Sequence, residues 1–395
     1  MTSLRRLFAN LFERTPIGWL QLRGNKGRLL VALGGIAFAD LLMFMQLGVL
    51  GAALDSSALF NKMLNTDIIL ISPEARDIQN SATIPRARLY QAEGEPGIAS
   101  GTAMYLAFVD WRSPFNKERR AMMVVGTDPD KPEVNLPEIE SARDDLKRPD
   151  TVIFDRLSRG NYRETVELTN EGQIVTAEIN RRTMYITGTF ALGASFGLDG
   201  TLIGSESTFL HLFPNRSPNS ITLGLLQVQL GQDPVVIARM LKSRMAGDVE
   251  VMTKAEFIAH AKNYQAKHTP IGFIFGLGTV MGFIVGMVMV YQVLSTDVTD
   301  HLAEYATFKA MGFTNLYLVG VIAEECVILA FLGFFPGLAA GEGLMRLIHL
   351  GTALPTSLPF SRMLVVFALT FILCMLSGVI AARRLRSADP AEVFA

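Results

Sequence analysis

Ser195 stands in Gly193-Ala194-Ser195-Phe196-Gly197, which matches the G-x-S-x-G spacing of a hydrolase nucleophile elbow. The chemistry would be acyl transfer, with a histidine taking the serine proton as the oxygen attacks a carbonyl. Of the five histidines, only His211, His260 and His268 share the long polar stretch that holds Ser195. An elbow needs a strand before it and a helix after it, and the next residues here are Leu198-Asp199-Gly200-Thr201, which are turn-like. The sequence therefore predicts a glycine-rich hairpin loop, with a membrane-anchored enzyme as the alternative that loss of activity in Ser195→Ala would favour. No G-x-x-x-x-G-K-[ST] is present to cradle a nucleotide, and no Cys/His set has metal spacing. A net charge of −1 gives no field for nucleic acid. No catalytic, cofactor or metal residue is assigned to this chain.

Two acids sit where acids are costly. Asp40 and Glu325 lie inside apolar stretches, about 17 Å and about 14 Å from the end of each that is read below as cytoplasmic, at about 1.5 Å per residue. An acid at the centre of a span costs roughly 2.5–3.5 kcal/mol on insertion scales, and no Lys or Arg lies inside any span to pair with it. Both are expected to face a bundle interior, either as structural acids held by hydrogen bonds or as part of an ion pathway. Glu324 is about 100° around the helix from Glu325 and must point elsewhere.

The elements that place these residues are four apolar runs, over 29–54, 271–294, 316–341 and 363–382. Each reaches the roughly 20 residues needed to cross a bilayer. Half of the chain is hydrophobic and 18% is charged, too apolar for an ordinary soluble enzyme and too charged for a purely lipid-embedded bundle. The expected fold class is a membrane protein of four transmembrane α-helices with a large α+β domain inserted between the first and second. Arg5, Arg6, Arg14, Arg23, Lys26 and Arg28 precede the first run, and Arg383, Arg384 and Arg386 follow the last, so both ends are expected in the cytoplasm of a bacterial inner membrane. The first run is about twice the length of a signal-peptide core and is read as an anchor.

These spans divide the chain. An amphipathic helix is expected within 1–28, lying on the membrane surface through Leu4, Leu7, Phe8, Leu11 and Phe12, and a periplasmic domain over 55–253. Next come a stalk with the second span over 254–294, a cytoplasmic segment over 295–315, a periplasmic loop over 342–362 and a tail from 383. In the outer domain Asp67–Ile71, Ala103–Val109, Ala121–Val125, Gln173–Ile179, Thr183–Phe190, Ile221–Leu230 and Val249–Met252 read as strands, and Pro234–Met245 as a helix. The Pro- and charge-rich stretch Asp128–Pro149 is expected to separate two lobes. Without cysteines outside the spans, where Cys326 and Cys374 lie, this domain must fold on its own core. Pro270 predicts a break where the polar stalk meets the second span. Gly272, Gly276, Gly278, Gly282 and Gly286 predict close helix packing, within one subunit or at a dimer seam.

The segment from Ser295 to Phe313 reads as a short capped helix, started by Thr299 or Asp300, with Lys309 in its last turn and Gly312 at C′. Such a helix on a short loop suits docking to a partner, or simply connects two spans. Residues 303–312 (AEYATFKAMG) resemble the R-E-I-G-x-x-x-A-x-G coupling helix of the MacB/FtsX class of ABC-transporter permeases, keeping Glu304 and Gly312 but with Ala303 for the basic residue and Tyr305-Ala306 for Ile-Gly. Ala381–Glu392 is similar to the closing A-x-R-A-x-x-x-D-P-x-E-A of that class. Asp300–Gly312, Gly35–Gln46 and Thr269–Gly276 are most similar to the DevC branch.

The resemblance implies a permease that performs no covalent chemistry and couples to a separate ABC ATPase through Glu304, Tyr305, Phe308, Lys309, Met311 and Gly312. It further implies a homodimer, ATP and Mg held by the partner ATPase, a periplasmic adaptor protein, a TolC-like outer-membrane duct, and contact with membrane lipid. The expected function is the permease subunit of a tripartite export system for a lipid-like, glycolipid or other periplasmic cargo. An FtsX-like activator of a cell-wall hydrolase and a lipoprotein-releasing permease are the related alternatives.

Overall fold

The computed structural model describes residues 17–75, 82–115, 117–131, 134–352, 354 and 356–383. The surface helix expected before residue 17 and the closing motif beyond Arg383 lie outside the described residues. In chain order the elements are α1 (Ile17–Gly24), α2 (Lys26–Ser57), α3 (Leu59–Met63), β1 (Ile68–Ile71), β2 (Ile84–Pro85), α4 (Arg86–Glu93), β3 (Ile98–Arg112) and β4 (Arg119–Thr127). Next are α5 (Pro137–Ser141), α6 (Arg143–Leu146), β5 (Thr151–Asp155), α7 (Arg163–Asn170), β6 (Val175–Ile179), β7 (Arg182–Phe190), β8 (Gly200–Ser205) and α8 (Glu206–Leu212). The remainder are β9 (Ser220–Ile221), β10 (Leu223–Val228), α9 (Pro234–Arg244), β11 (Glu250–Thr253), α10 (Lys254–Lys267), α11 (Pro270–Asp300), α12 (Leu302–Ala310), α13 (Asn315–Thr352) and α14 (Phe360–Ala382).

The chain divides into two compact units, one over 1–50, 273–347 and 356–395, the other over 51–272 and 348–355. In the second unit a nine-stranded sheet runs in the order β11-β1-β10-β3-β4-β8-β5-β7-β6. The long β3 carries it: residues 98–104 pair with β10 and residues 105–112 with β4. A further pairing of Trp111 with Ile179 and Arg112 with Glu178 brings β6 back to β3 and closes six strands into a ring. Side chains alternate across strands, so each strand feeds two cores. On one face Leu70, Tyr105, Val124 and Phe154 pack with Leu89 of α4, Phe209 of α8 and Leu241 of α9. On the other, Ile71, Leu106, Val125 and Ile153 pack with Phe60, Leu146 and Phe257. A sheet covered on both faces has near-continuous apolar strands instead of alternating ones. That is why β5 and β8, short and wholly buried, carry no strand pattern in the sequence.

The expected division at 128–149 is not what forms. This stretch holds α5 and α6, whose Ile139 and Leu146 are buried against the sheet. The strands on either side of it, β4 and β5, both pair with β8. Its charges sit on the outward side, which gave the stretch the composition of a linker. The expected stalk is also different. α10 belongs to the second unit, with Phe257 and Ala261 buried, Lys254 Nζ donating to Leu64 O at 2.6 Å and Lys262 paired with Asp55 at 2.6 Å. Thr253 and Glu256 form a capping box at its start. The helix stops at His268, and Pro270 opens α11, as the missing proline N–H dictates.

In the first unit α2, α11, α13 and α14 are long and apolar enough to cross a membrane. Two of them outrun their apolar stretches. α11 continues to Asp300, so Thr299 and Asp300 close that helix instead of starting the next, and α12 begins after His301 with no side-chain cap. α13 continues to Thr352 and takes up the first eleven residues of the loop expected over 342–362, supported by a Glu342–Arg346 pair at i,i+4 and 2.6 Å, and α14 takes up the last three. Polar residues ended the apolar pattern there without ending the helix.

Trp111 is fully buried, with its ring 5.3 Å from that of Phe154 and its indole N–H without an acceptor. Trp111→Ala should cost the second unit about 3–5 kcal/mol. Trp111→Phe, which also removes the orphan donor, should cost under about 1.5 kcal/mol. Denaturant unfolding of the full chain followed by circular dichroism checks this, and equal losses in the two variants would contradict the role given to ring volume at this strand closure.

Candidate functional site

The residues singled out in 303–312 form α12, and its end has the geometry the sequence predicts. Gly312 lies at C′ with φ +93°, the Gly312 N–H donates to Lys309 O and the Phe313 N–H to Phe308 O, both at 3.0 Å. This is the Schellman pair of bonds, and the hydrophobic contact that accompanies it is present as an edge-on packing of Phe308 on Phe313 at 5.7 Å. Tyr317 completes the cluster, 4.7 Å from Phe313. The turn out of α12 is therefore rigid, and it presents Met311, Phe313 and Leu316 at 60%, 41% and 82% exposure.

The six expected coupling residues do not share one surface. Glu304, Met311 and Gly312 are exposed, and Phe308 and Lys309 are half-buried. Tyr305 is completely buried and cannot meet a partner. Its phenol donates to Gln21 Oε1 at 3.3 Å, and burial pushes its pKa above the usual tyrosine range. Tyr305 lies in the bundle core that also holds Leu318 and Ile322, a position that composition alone does not reveal. Gln21 also donates through Nε2 to Glu304 at 3.2 Å. Beside this contact Arg28 pairs with Asp297 at 3.1 Å and with Asp300, tying the start of α2 to the end of α11. Gln21, Arg28, Asp297, Phe313 and Leu316 thus surround α12 in ways that the sequence pattern did not mark. The repeated Asp at 297 and 300, set at i,i+3, was the one available signal.

Asp40 and Glu325 are both fully buried in the bundle, as expected, but they belong to separate places. Asp40 on α2 accepts a hydrogen bond from Thr370 Oγ1 on α14 and lies against Gly337 of α13, where a Cβ would come within 2.6 Å of the Asp40 Cβ. Glu325 lies against Gly18 of α1, where a Cβ would meet its Cγ at 2.9 Å. Glu324 turns away from it, and its carboxylate accepts from the backbone N–H groups of Gly18 and Trp19. The glycines of α11 divide likewise. Gly278, Gly282 and Gly286 pack on Gln46, Leu42 and Ala39 of α2 within this chain, Gly286 also on Leu373. Gly276 faces open space, and Gly272 faces the Ala266 carbonyl at the helix break, so neither serves helix packing among the described residues.

Gly193–Gly197 forms a loop between strands β7 and β8, so the helix required by an elbow is absent. Asp155 holds the loop, accepting from the N–H groups of Leu192 and Gly193 at 3.0 and 2.9 Å. Burial pushes the Asp155 carboxyl above the usual range while these bonds pull it back. His211 is engaged with Asp150 and Arg182, and His268 stacks on Tyr264 at 5.4 Å. Ser195 has none of the partners of a nucleophile among the described residues.

Gly312→Ala should cost the last turn of α12 about 1 kcal/mol, since a Cβ there meets no neighbour and the cost is the left-handed backbone alone. Gly312→Asn, which tolerates that conformation, should lose less. Amide exchange at residue 313 is the readout, and identical rates in wild type and Gly312→Ala would remove the case for this cap.

A comparison with curated proteins found no match. Among solved structures the chain is similar to the periplasmic region of MacB from Actinobacillus actinomycetemcomitans, at 12% identity and TM-score 0.34 over 51% of this chain and 94% of that one. It is also similar to the extracellular domain of the noncanonic ABC-type transporter YknZ from Gram-positive bacteria, at 12% identity and TM-score 0.32 over 47% of this chain and 98% of that one. These scores are too low to carry an assignment. A family model does: residues 273–390, which contain α11 through α14 apart from the first turn of α11, match the FtsX-like permease C-terminal domain. With that match the chain carries an FtsX-like permease C-terminal domain over residues 273–390, among helices long and apolar enough to cross a membrane.

Proposed function

We propose that this permease is the transmembrane subunit of an ATP-driven export system and that α12 is where a separate ABC ATPase docks. The observation that carries this reading is the rigid Schellman turn presenting Met311, Phe313 and Leu316, three apolar side chains held out on a short polar connection. An exposed apolar cluster of this kind is costly unless it seats in a partner's pocket. In this reading α12 and both termini face the cytoplasm, the ATPase holds ATP and Mg, and the second unit lies in the periplasm. Two copies of the chain work as a homodimer, joined by a periplasmic adaptor and a TolC-like duct. A lipid-like cargo, as in the DevC branch, is the expectation drawn from the sequence resemblance.

Met311→Asp and Phe313→Asp should each lower recovery of the ATPase with the tagged chain by tenfold or more, as expected for loss of about 2 kcal/mol at an interface hot spot. Co-purification in mild detergent with identification of bound proteins checks it. Failure to recover any ATPase with the native chain, or modification of a cysteine placed at 311 by an impermeant reagent from outside the cell, would overturn the reading.

A further inference from the structure

We infer that α1 is a clamp that sets the position of α12 against α13, with Gln21 as the positioning residue. The inference deepens the reading of α12 as an ATPase docking element and rests on it for the consequence, though not for the geometry.

α1 is held to α13 by two independent features. The Glu324 carboxylate accepts from the Gly18 and Trp19 N–H groups of α1. One residue along, Gly18 lets the α1 backbone close onto Glu325 and the Val321 carbonyl, 3.1 Å from where a Cβ would stand. One turn further, Gln21 is only 9% exposed and uses both ends of its amide on α12. Nε2 donates to Glu304 and Oε1 accepts from Tyr305. Successive turns of one short helix thus grip α13 and α12. A glutamine suits this place because it has one donor end and one acceptor end, matching a carboxylate and a phenol. Displacement of α12 by a docked partner must either carry α1 and α13 with it or break these bonds.

The test uses the full chain in nanodiscs and reads hydrogen exchange of the α12 amides, residues 302–310. Gln21→Ala should raise exchange roughly tenfold, and Gln21→Glu, which sets two carboxylates face to face, by at least as much. Combining Gln21→Glu with Glu304→Gln exchanges donor and acceptor while leaving both bonds possible, and should return exchange to within about twofold of native. Unchanged exchange in Gln21→Ala overturns the inference. So does failure of the exchanged pair to recover, since general packing would not be restored by swapping the two groups. If Gln21→Ala does not fold, the comparison of Gln21→Glu alone with the exchanged pair decides. With the co-purifying ATPase, Gln21→Ala should lower stimulation of hydrolysis several-fold, and the exchanged pair should restore it. If the native chain binds no ATPase, the docking reading fails while the exchange result still decides the clamp.

Discussion

A helix of nine residues does not hold its shape in water by itself, because the nucleation cost is spread over too few bonds. The membrane unit depends on overcoming that cost at α12. Three contacts do so. The turn after Met311 closes with two backbone bonds and an aromatic contact, Tyr305 is buried in the bundle, and Gln21 bonds to Glu304 and Tyr305 in the first turn. The first acts at the end of the helix and the other two at its start, so α12 is fixed in place as well as in shape. Its exposed end can then present Met311, Phe313 and Leu316 without collapsing onto its own bundle.

The second unit solves a different problem. It has no cysteine to staple it, and its strands are mostly short. Its stability comes from one long strand, β3, that shares its pairing between two sets of neighbours and buries side chains on both faces. The ring closed by β6 fills its interior with Trp111, Phe154 and Tyr162, whose rings lie 5.3 and 5.2 Å apart in sequence of contact. Burial raises the Tyr162 pKa to about 12, so its phenol stays neutral throughout the physiological range.

How much of this could be read from the residues varies with the kind of signal. Apolar length gave all four spans, because lipid imposes one requirement on every residue of a crossing helix. Strand composition gave β1, β3, β4, β6, β7, β10 and β11. It did not give β5 or β8, where Thr151–Asp155 and Gly200–Ser205 are buried on both sides and so lack alternation. The Gly312 cap was legible since a left-handed residue after a helix favours glycine. Tyr305 entered the coupling set because a motif assigns residues by order along the chain, and the structure buries it because burial is decided by the face on which a residue lands. Gln21 left no trace at all. Its role comes from an element 283 residues away, and nothing local encodes that distance.

The break at His268–Thr269 separates α10 from α11, while α13 runs as one helix for 38 residues to Thr352, a residue of the second unit whose carbonyl accepts from Arg159 of that same unit at 3.0 Å. α11 and α13 therefore differ in what they transmit, while α2 is continuous like α13. An axial twist applied to α11 is dissipated at the break, where no helical bond crosses Thr269–Pro270 to carry torque. The same twist applied to α13 travels through a continuous hydrogen-bonded ladder, softened only at Pro336, where one amide donor is missing. Rotation, as distinct from push and pull, thus has an unbroken shaft in the third crossing and none in the second.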